Sequence, residues 1–266
     1  MRSFRFLRSI AKPAIYYAFN PRELWAREVI VTTNDGTRFW CSRENAIERS
    51  LIETKTWELN ETELVRRIIK QGDVVLDIGS NIGYYSFLMS KLGAEVHCFE
   101  PTSYAVNRFM RNLALNGGDI AFNKVGLLSR PVTRVEAIES RFSAAVPSYS
   151  EAEEMTFTTI DDYCKDFERL DFIKIDIDGY DYEAIQGGQE TIGKHRPVIL
   201  AEFCERVLLE KRTNVVEYAK LFLSLGYDDC IVASAFEQKS RLIDLLNKKE
   251  FAQDSWNIIM MSRADT

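Results

Sequence analysis

Hydrophobic and polar positions follow two regimes along this chain, and the change falls near Asp73. Before it, residues 1–19 set Phe4, Leu7, Ile10 and Ile15 at helix-like spacing among Arg2, Arg5, Arg8 and Lys12, with Pro13 interrupting. This reads as a short basic amphipathic segment packed on the domain, with contact to an anionic membrane surface as the alternative. Residues 29–42 pair two strand-like runs around Asn34-Asp35-Gly36, a hairpin signal, and helical patterns continue to Lys70. From Asp73 onward, strands are predicted at 74–79, 94–100, 119–126, 171–178, 197–203, 228–234 and 256–262. Helices are predicted at 82–92, 103–115, 180–188 and 214–225. Strands and helices alternating in this way build a parallel sheet covered on both faces. The expected fold class is α/β, a doubly wound Rossmann-like sheet over residues 71–266, with residues 1–70 as a helical and hairpin extension packed on that core. Around 130–159 the alternation lapses, which predicts an extra strand pair and a mobile excursion bordering the substrate.

Composition narrows the class. A chain of 266 residues, 46% hydrophobic and 28% charged, is long enough to bury a large core without disulfides or structural metal. Its net charge of -6 argues against a general affinity for nucleic acid. Cys41, Cys98, Cys164, Cys204 and Cys230 are odd in number and widely spaced, with no zinc-type pairing, so a reducing cytoplasm is expected. No run of apolar residues is long enough to span a membrane, and the N-terminus lacks the pattern of a secretory signal.

The turn after the first strand of the alternating region carries the clearest chemistry. In Val74-Val75-Leu76-Asp77-Ile78-Gly79-Ser80-Asn81-Ile82-Gly83, an apolar strand breaks into a glycine-containing turn and then a helix. Open parallel sheets bind ligands at the carboxyl ends of their strands, where Gly79 and Gly83 permit close backbone approach. Glu100 ends the next strand, at the spacing where an acid takes ribose hydroxyls. The dinucleotide pattern G-x-G-x-x-G fails, because its positions hold Gly79, Asn81 and Tyr84. Asp77 would repel a pyrophosphate and attract a cation. S-adenosylmethionine carries both a ribose and a positive charge.

From Gly72 to Phe203 the chain resembles the FkbM-type S-adenosylmethionine methyltransferases. The likeness rests on DIGSNIGYYS, CFEPTSYAVNRFMRNLALN, TTIDDYC, DFIKIDIDGYDYEAIQGG and PVILAEF. It implies that Asp77, Gly79, Asn81 and Gly83 line the methionine and ribose end of the cofactor and that Glu100 holds the ribose hydroxyls. It also implies strand order 3-2-1-4-5-7-6, with the last strand, WNIIMMS, antiparallel. The family more often has glutamate at the positions of Asp178 and Asp181 and alanine at Tyr180, so this chain departs from it at the acceptor side.

Methyl transfer is an in-line displacement that requires an aligned acceptor and excluded water, and an alcohol must also lose a proton. In DFIKIDID, alternation places Lys174, Asp176 and Asp178 on one face, an unusual set of charges for a central strand. Asp176 is expected at the junction of cofactor and acceptor, with Lys174, Asp178 and Glu202 completing the acceptor edge; a structural Lys174–Asp176 pair is the alternative. Asp176, Asp178 and Glu202 are also an oxygen-rich set of the kind that suits magnesium, though no metal is expected. His97 is expected to pack in the core, His195 to cap or lie on the surface, and Trp25, Trp40, Trp57 and Trp256 to pack. The expected activity is methyl transfer to a hydroxyl of a sugar, glycan or related small acceptor, free or lipid-linked. N-methylation, a nicotinamide-dependent oxidoreductase and a non-catalytic binding module are the alternatives.

Overall fold

A computed structural model describes residues 28–43, 45–137, 152–235, 239–247 and 255–262. The basic segment at 1–19, Trp25 and the centre of the 130–159 excursion lie outside them. In the N-terminal hairpin, β1 (Val29–Thr32) pairs antiparallel with β2 (Arg38–Cys41), with Thr32 opposite Arg38. Gly36 takes the positive φ of +80° that the connecting turn needs. The helix α1 (Ala46–Thr54) starts where the Asn45 side chain accepts the Glu48 N–H and stops at Lys55 in the left-handed region. It is followed by α2 (Leu59–Ile68).

The alternating region then runs β3 (Val74–Ile78), α3 (Tyr84–Lys91), β4 (Glu95–Phe99), α4 (Ser103–Asn116) and β5 (Ile120–Asn123). Three short strands follow, β6 (Gly126–Leu127), β7 (Val132–Ala137) and β8 (Ala152–Thr158), forming a separate sheet in the order β6-β8-β7. They give way to α5 (Ile160–Cys164), β9 (Phe172–Ile175), α6 (Asp181–Gln186), α7 (Gln189–His195) and β10 (Val198–Cys204). The chain continues through α8 (Glu205–Glu210), α9 (Val215–Ser224), β11 (Tyr227–Val232), β12 (Lys239–Arg241), α10 (Leu242–Asn247) and β13 (Ser255–Ser262).

The main sheet is ordered β12-β11-β13-β10-β9-β3-β4-β5. Strands β5, β4, β3, β9 and β10 are parallel, and β13 inserts antiparallel between β10 and β11. This is the expected order 3-2-1-4-5-7-6, extended at one edge by β12, which sequence reading did not anticipate. Two strands are shorter than expected. The run at 119–126 is broken after Asn123, and Gly126–Leu127 leaves for the small sheet. The run at 171–178 forms β-structure only over Phe172–Ile175, so Asp176 and Asp178 stand in the following turn rather than on a strand face. Asp178, at φ +53°, has left the extended region that alternation requires.

Alternation along β3 and β9 divides the core between the two faces of the sheet. Leu76, Ile78, Ile173 and Ile175 join Ile192, Tyr218 and Phe222 on one face. Val75 and Phe172 join Phe87 and Leu88 of α3 on the other, and there Phe39, Leu51 and Val65 bring in the hairpin, α1 and α2. Residues 28–70 therefore roof the face that carries α3. The attachment is polar as well as apolar: the Trp40 N–H donates to Asn112 Oδ1 at 2.9 Å, and Arg108 and Arg111 of α4 bind Glu28 and Glu48. Glu48 is fully buried and Arg108 is 4% exposed, so this pair is shielded from water. No described helix is long and apolar enough to cross a membrane.

Candidate active site

The turns that follow β3, β4 and β9 meet at the carboxyl edge of the sheet. In the first, the N–H groups of Gly79 and Ser80 both donate to Phe99 O, at 3.0 and 3.1 Å. Gly79 has φ +82°, and a Cβ there would lie 2.1 Å from the backbone oxygen of Asp176. The Gly79 site thus has no room for a side chain, which lets the turn after β3 press against the turn after β9. Gly83, at φ +93°, is closed by the rings of Phe87 and Phe109. Asn81 is left-handed at φ +47°, and its N–H donates to Glu100 Oε2 at 3.2 Å.

Glu100 joins the first two turns. Its Oε1 accepts the Thr102 N–H at 2.9 Å and the Thr102 hydroxyl at 2.6 Å. Burial raises its carboxyl above the ordinary range, against the bonds from Thr102 and Asn81. Beneath the first turn lies Asp77, with no exposed surface. Its Oδ2 accepts from Ser86 Oγ at 2.5 Å, while Asp77 Oδ1 and Ser80 Oγ are buried with no hydrogen-bond partner. Burial raises Asp77 too, with Lys174, its neighbour across the β3–β9 ladder, opposing. A partly satisfied buried acid at Asp77, a glycine-tight turn and a hydrogen-bonded carboxylate after β4 suit a cationic nucleoside.

A second group gathers around Lys174. Its ammonium lies 3.2 Å from Asp176 Oδ2 and 5.3 Å from the centre of the Tyr85 ring. Burial disfavours the charge on Lys174, but Asp176, Asp77 and Glu58 outweigh it and raise its pKa. Glu202, on β10, accepts from Ser255 Oγ and stands opposite Asn257 of β13. Burial and then Asp176 push the Glu202 carboxyl up to about 7. The charge of Asp178 adds to the rise of both Glu100 and Glu202. The structure thus brings Lys174, Asp176 and Glu202 together and puts Asp178 beside them on a turn.

Sequence reading missed Glu58, Glu61, Tyr85 and Asn257, and marked Asp181 only as a departure from the family pattern at the acceptor side. Asp181 is 1% exposed and accepts the Gly179 N–H at 3.0 Å, tying down the turn after β9; burial, then Asp176 and Glu202, push it up to about 8. Asn257 Nδ2 donates to Glu61 Oε1 at 3.0 Å. Glu58 receives the Tyr85 hydroxyl at 2.8 Å. Only Asp181, in the D-G-Y-D run, carried a local signal. The glutamates reach the edge because α2 packs there, which no short motif encodes.

The remaining expectations fall elsewhere. His97 is half-buried against Tyr163 and Phe167, with Nδ1 2.8 Å from the Tyr163 hydroxyl. His195 ends α7, before the start of β10, at the opposite edge of the sheet from the site. All five cysteines are buried and free. Among the described residues no group of three or more His, Cys, Asp or Glu is arranged to hold a metal ion.

The model of the methyltransferase FkbM domain matches residues 77–228, more than half of the chain. The chain belongs to the FkbM methyltransferase family. Among curated protein sequences none matches it. Similar solved structures include the FkbM methyltransferase of Methylobacillus flagellatus KT, at 14% identity over 81% of this chain and 52% of that one, with a TM-score of 0.48. A Pyrococcus abyssi tRNA (uracil-54, C5)-methyltransferase in complex with S-adenosyl-L-homocysteine is also 14% identical, over 88% of this chain and 43% of its own, with a TM-score of 0.48. M. jannaschii TYW2 in complex with AdoMet shows 14% identity over 88% and 84%, with a TM-score of 0.43. The chain therefore spans about half the length of the first of these structures.

Proposed function

We propose that this FkbM methyltransferase transfers the methyl group of S-adenosylmethionine to a hydroxyl oxygen of a sugar, glycan or related small acceptor. The cofactor, when bound, supplies an electrophilic methyl on a cationic sulfur. Glu100 accepts the ribose hydroxyls, while Asp77, Gly79, Asn81 and Gly83 shape the turn that receives the methionine end. Lys174 and Asp176 fix the junction with the acceptor, and Glu202 and Asp178 extend its binding edge. Residues 1–70 serve as an extension and 71–266 as the catalytic domain.

The observation that carries the acceptor class is the acidity of this edge, where Asp176 pairs with the ammonium of Lys174 at 3.2 Å, the charges of Asp77 and Glu58 act on the same ammonium, and Glu202 follows on the neighbouring strand. Carboxylates accept hydrogen bonds from neutral polyols and repel a phosphate backbone, and the net charge of -6 adds to that repulsion. Nucleic acid should therefore be a poor substrate. A panel with tritiated cofactor tests this: nucleotide-activated deoxysugars, lipid-linked oligosaccharides and free monosaccharides against RNA, DNA and a lysine-rich protein. Label in a sugar-containing acceptor supports the reading; label in RNA or protein nitrogen with every carbohydrate blank overturns it.

A further inference from the structure

We propose that Glu58, contributed by the extension that precedes the matched segment, takes the proton from the acceptor hydroxyl. The inference rests on the methyltransferase reading above and adds the base that this reading lacks. Glu58 occupies the N-cap of α2, where a side chain ordinarily accepts a backbone N–H of the first turn. It makes no such bond, and its backbone is left-handed, with φ 41° and ψ 71°. Non-glycine residues held in that region cluster at functional sites. Here the carboxylate turns from the helix end toward Tyr85, the second residue of α3, whose hydroxyl donates to its Oε2.

Tyr85 also connects Glu58 to the acceptor edge. The Lys174 ammonium lies over the Tyr85 ring and bonds Asp176, so Glu58, Lys174 and Asp176 form one continuous cluster. The segment bearing Glu58 is fastened: the Thr62 hydroxyl donates to Trp57 O at 2.7 Å, and the Thr56 and Thr62 hydroxyls meet the Tyr84 hydroxyl at 3.0 and 3.2 Å. A base must be positioned before its basicity matters, and these bonds supply the positioning.

The choice among the carboxylates follows from their partners. Asp176 is already engaged by the Lys174 ammonium at 3.2 Å. Glu202 is held on β10 opposite Asn257 of β13 and bonds Ser255 of that same strand, whereas Glu58 bonds the tyrosine whose ring lies under the Lys174 ammonium. Glu58 faces Lys174 of β9, Asp176 of the turn that follows it, Tyr85 of α3 and Glu61 of its own helix. Burial, then Asp176, pushes its carboxyl up to about 7, against Lys174 and the Tyr85 bond. A base poised there is matched to neutral pH. In the reaction an acceptor lone pair forms the new O–C bond to the methyl carbon, the C–S bond breaks, and its electron pair neutralises the sulfur. The hydroxyl proton passes to the Glu58 carboxylate and from there to water.

The test uses the full chain, wild type and E58Q, E58D and E202Q, with the acceptor panel above assayed from pH 5.5 to 9 and cofactor binding followed by calorimetry. E58Q is expected to lose roughly 10²–10⁴-fold in kcat, the usual contribution of a general base, while cofactor affinity stays within about three-fold. Wild type should show an ascending limb of kcat/KM centred near neutrality that E58Q loses, E202Q keeps and E58D partly restores. A limb that survives in E58Q, or a turnover loss matched by an equal loss of cofactor affinity, overturns the proposal; the latter would mean that Glu58 holds the cofactor. A blank panel would count against the carbohydrate reading alone, and carbon-13 NMR titration of the Glu58 carboxyl, assigned by its absence in E58Q, then decides: a midpoint near neutrality supports the base, and one in the ordinary carboxylate range overturns it.

Discussion

Replacing Glu100 by alanine removes the carboxylate that binds Asn81 N–H at 3.2 Å and Thr102 through both its N–H and its hydroxyl, at 2.9 and 2.6 Å. On the proposed reading the same carboxylate accepts a ribose hydroxyl when the cofactor is bound. A hydrogen bond to a charged group contributes about 1.5–3 kcal/mol, so loss of one such bond should weaken cofactor binding by roughly 10–150-fold. Folding should survive, because burial already works against the charge on Glu100 and its removal relieves that cost. Two variants separate the contributions. Glu100→Gln keeps the shape and one acceptor oxygen while removing the charge, and should fall between wild type and alanine. Thr102→Val removes only the hydroxyl bond and should bind within a few-fold of wild type. Isothermal titration with S-adenosylmethionine and with S-adenosylhomocysteine gives the affinities, and circular dichroism checks the fold. A folded Glu100→Ala protein that binds both with wild-type affinity would refute the placement of the ribose at this carboxylate.

Other perturbations probe the acceptor edge and the roof. Asp176→Asn should leave cofactor affinity within a few-fold of wild type by calorimetry and abolish most turnover, since it keeps the shape but removes the charge that holds Lys174 at 3.2 Å; near-wild-type turnover would make the pair purely structural. Asp181 and Glu202, raised from 3.8 and 4.5 to about 8 and about 7, bind more protons folded than unfolded. Their contribution to stability is therefore full below about pH 4 and is lost as pH rises through 7 to 8, so Asp181→Asn and Glu202→Gln should flatten the decline of urea-unfolding free energy across that window. Arg108→Met leaves the fully buried Glu48 without its cation and should cost about 3–5 kcal/mol in the same unfolding assay, whereas a loss under about 1 kcal/mol would show that the pair does not hold the roof.

The strand pattern made the sheet legible because each central strand is a short, mostly apolar run followed by a turn and a helix. The donor turn was legible for a related reason: Asp77, Gly79 and Glu100 sit at fixed distances within one βαβ unit, so local spacing encodes their meeting. The acceptor edge was legible only in part. Lys174 and Glu202 lie on neighbouring parallel strands and arrive together by topology, but the strand run suggested for 171–178 hid the turn that carries Asp178. Glu58 and Glu61 precede the alternating region and reach the edge through the packing of α2, a tertiary fact that periodicity does not record. The same holds for Arg108, which a helical pattern marks as one more polar position and the fold buries against Glu48.

The most direct test of the central claim is carbon-13 NMR of the product formed from S-adenosylmethionine labelled in its methyl carbon, with a carbohydrate acceptor identified by the panel. The account predicts a single new O-methyl resonance, correlated through three bonds to one ring proton of the sugar and absent from the Asp176→Asn reaction. A labelled methyl attached to nitrogen or to carbon, or an O-methyl product that forms undiminished with Asp176→Asn, would contradict it.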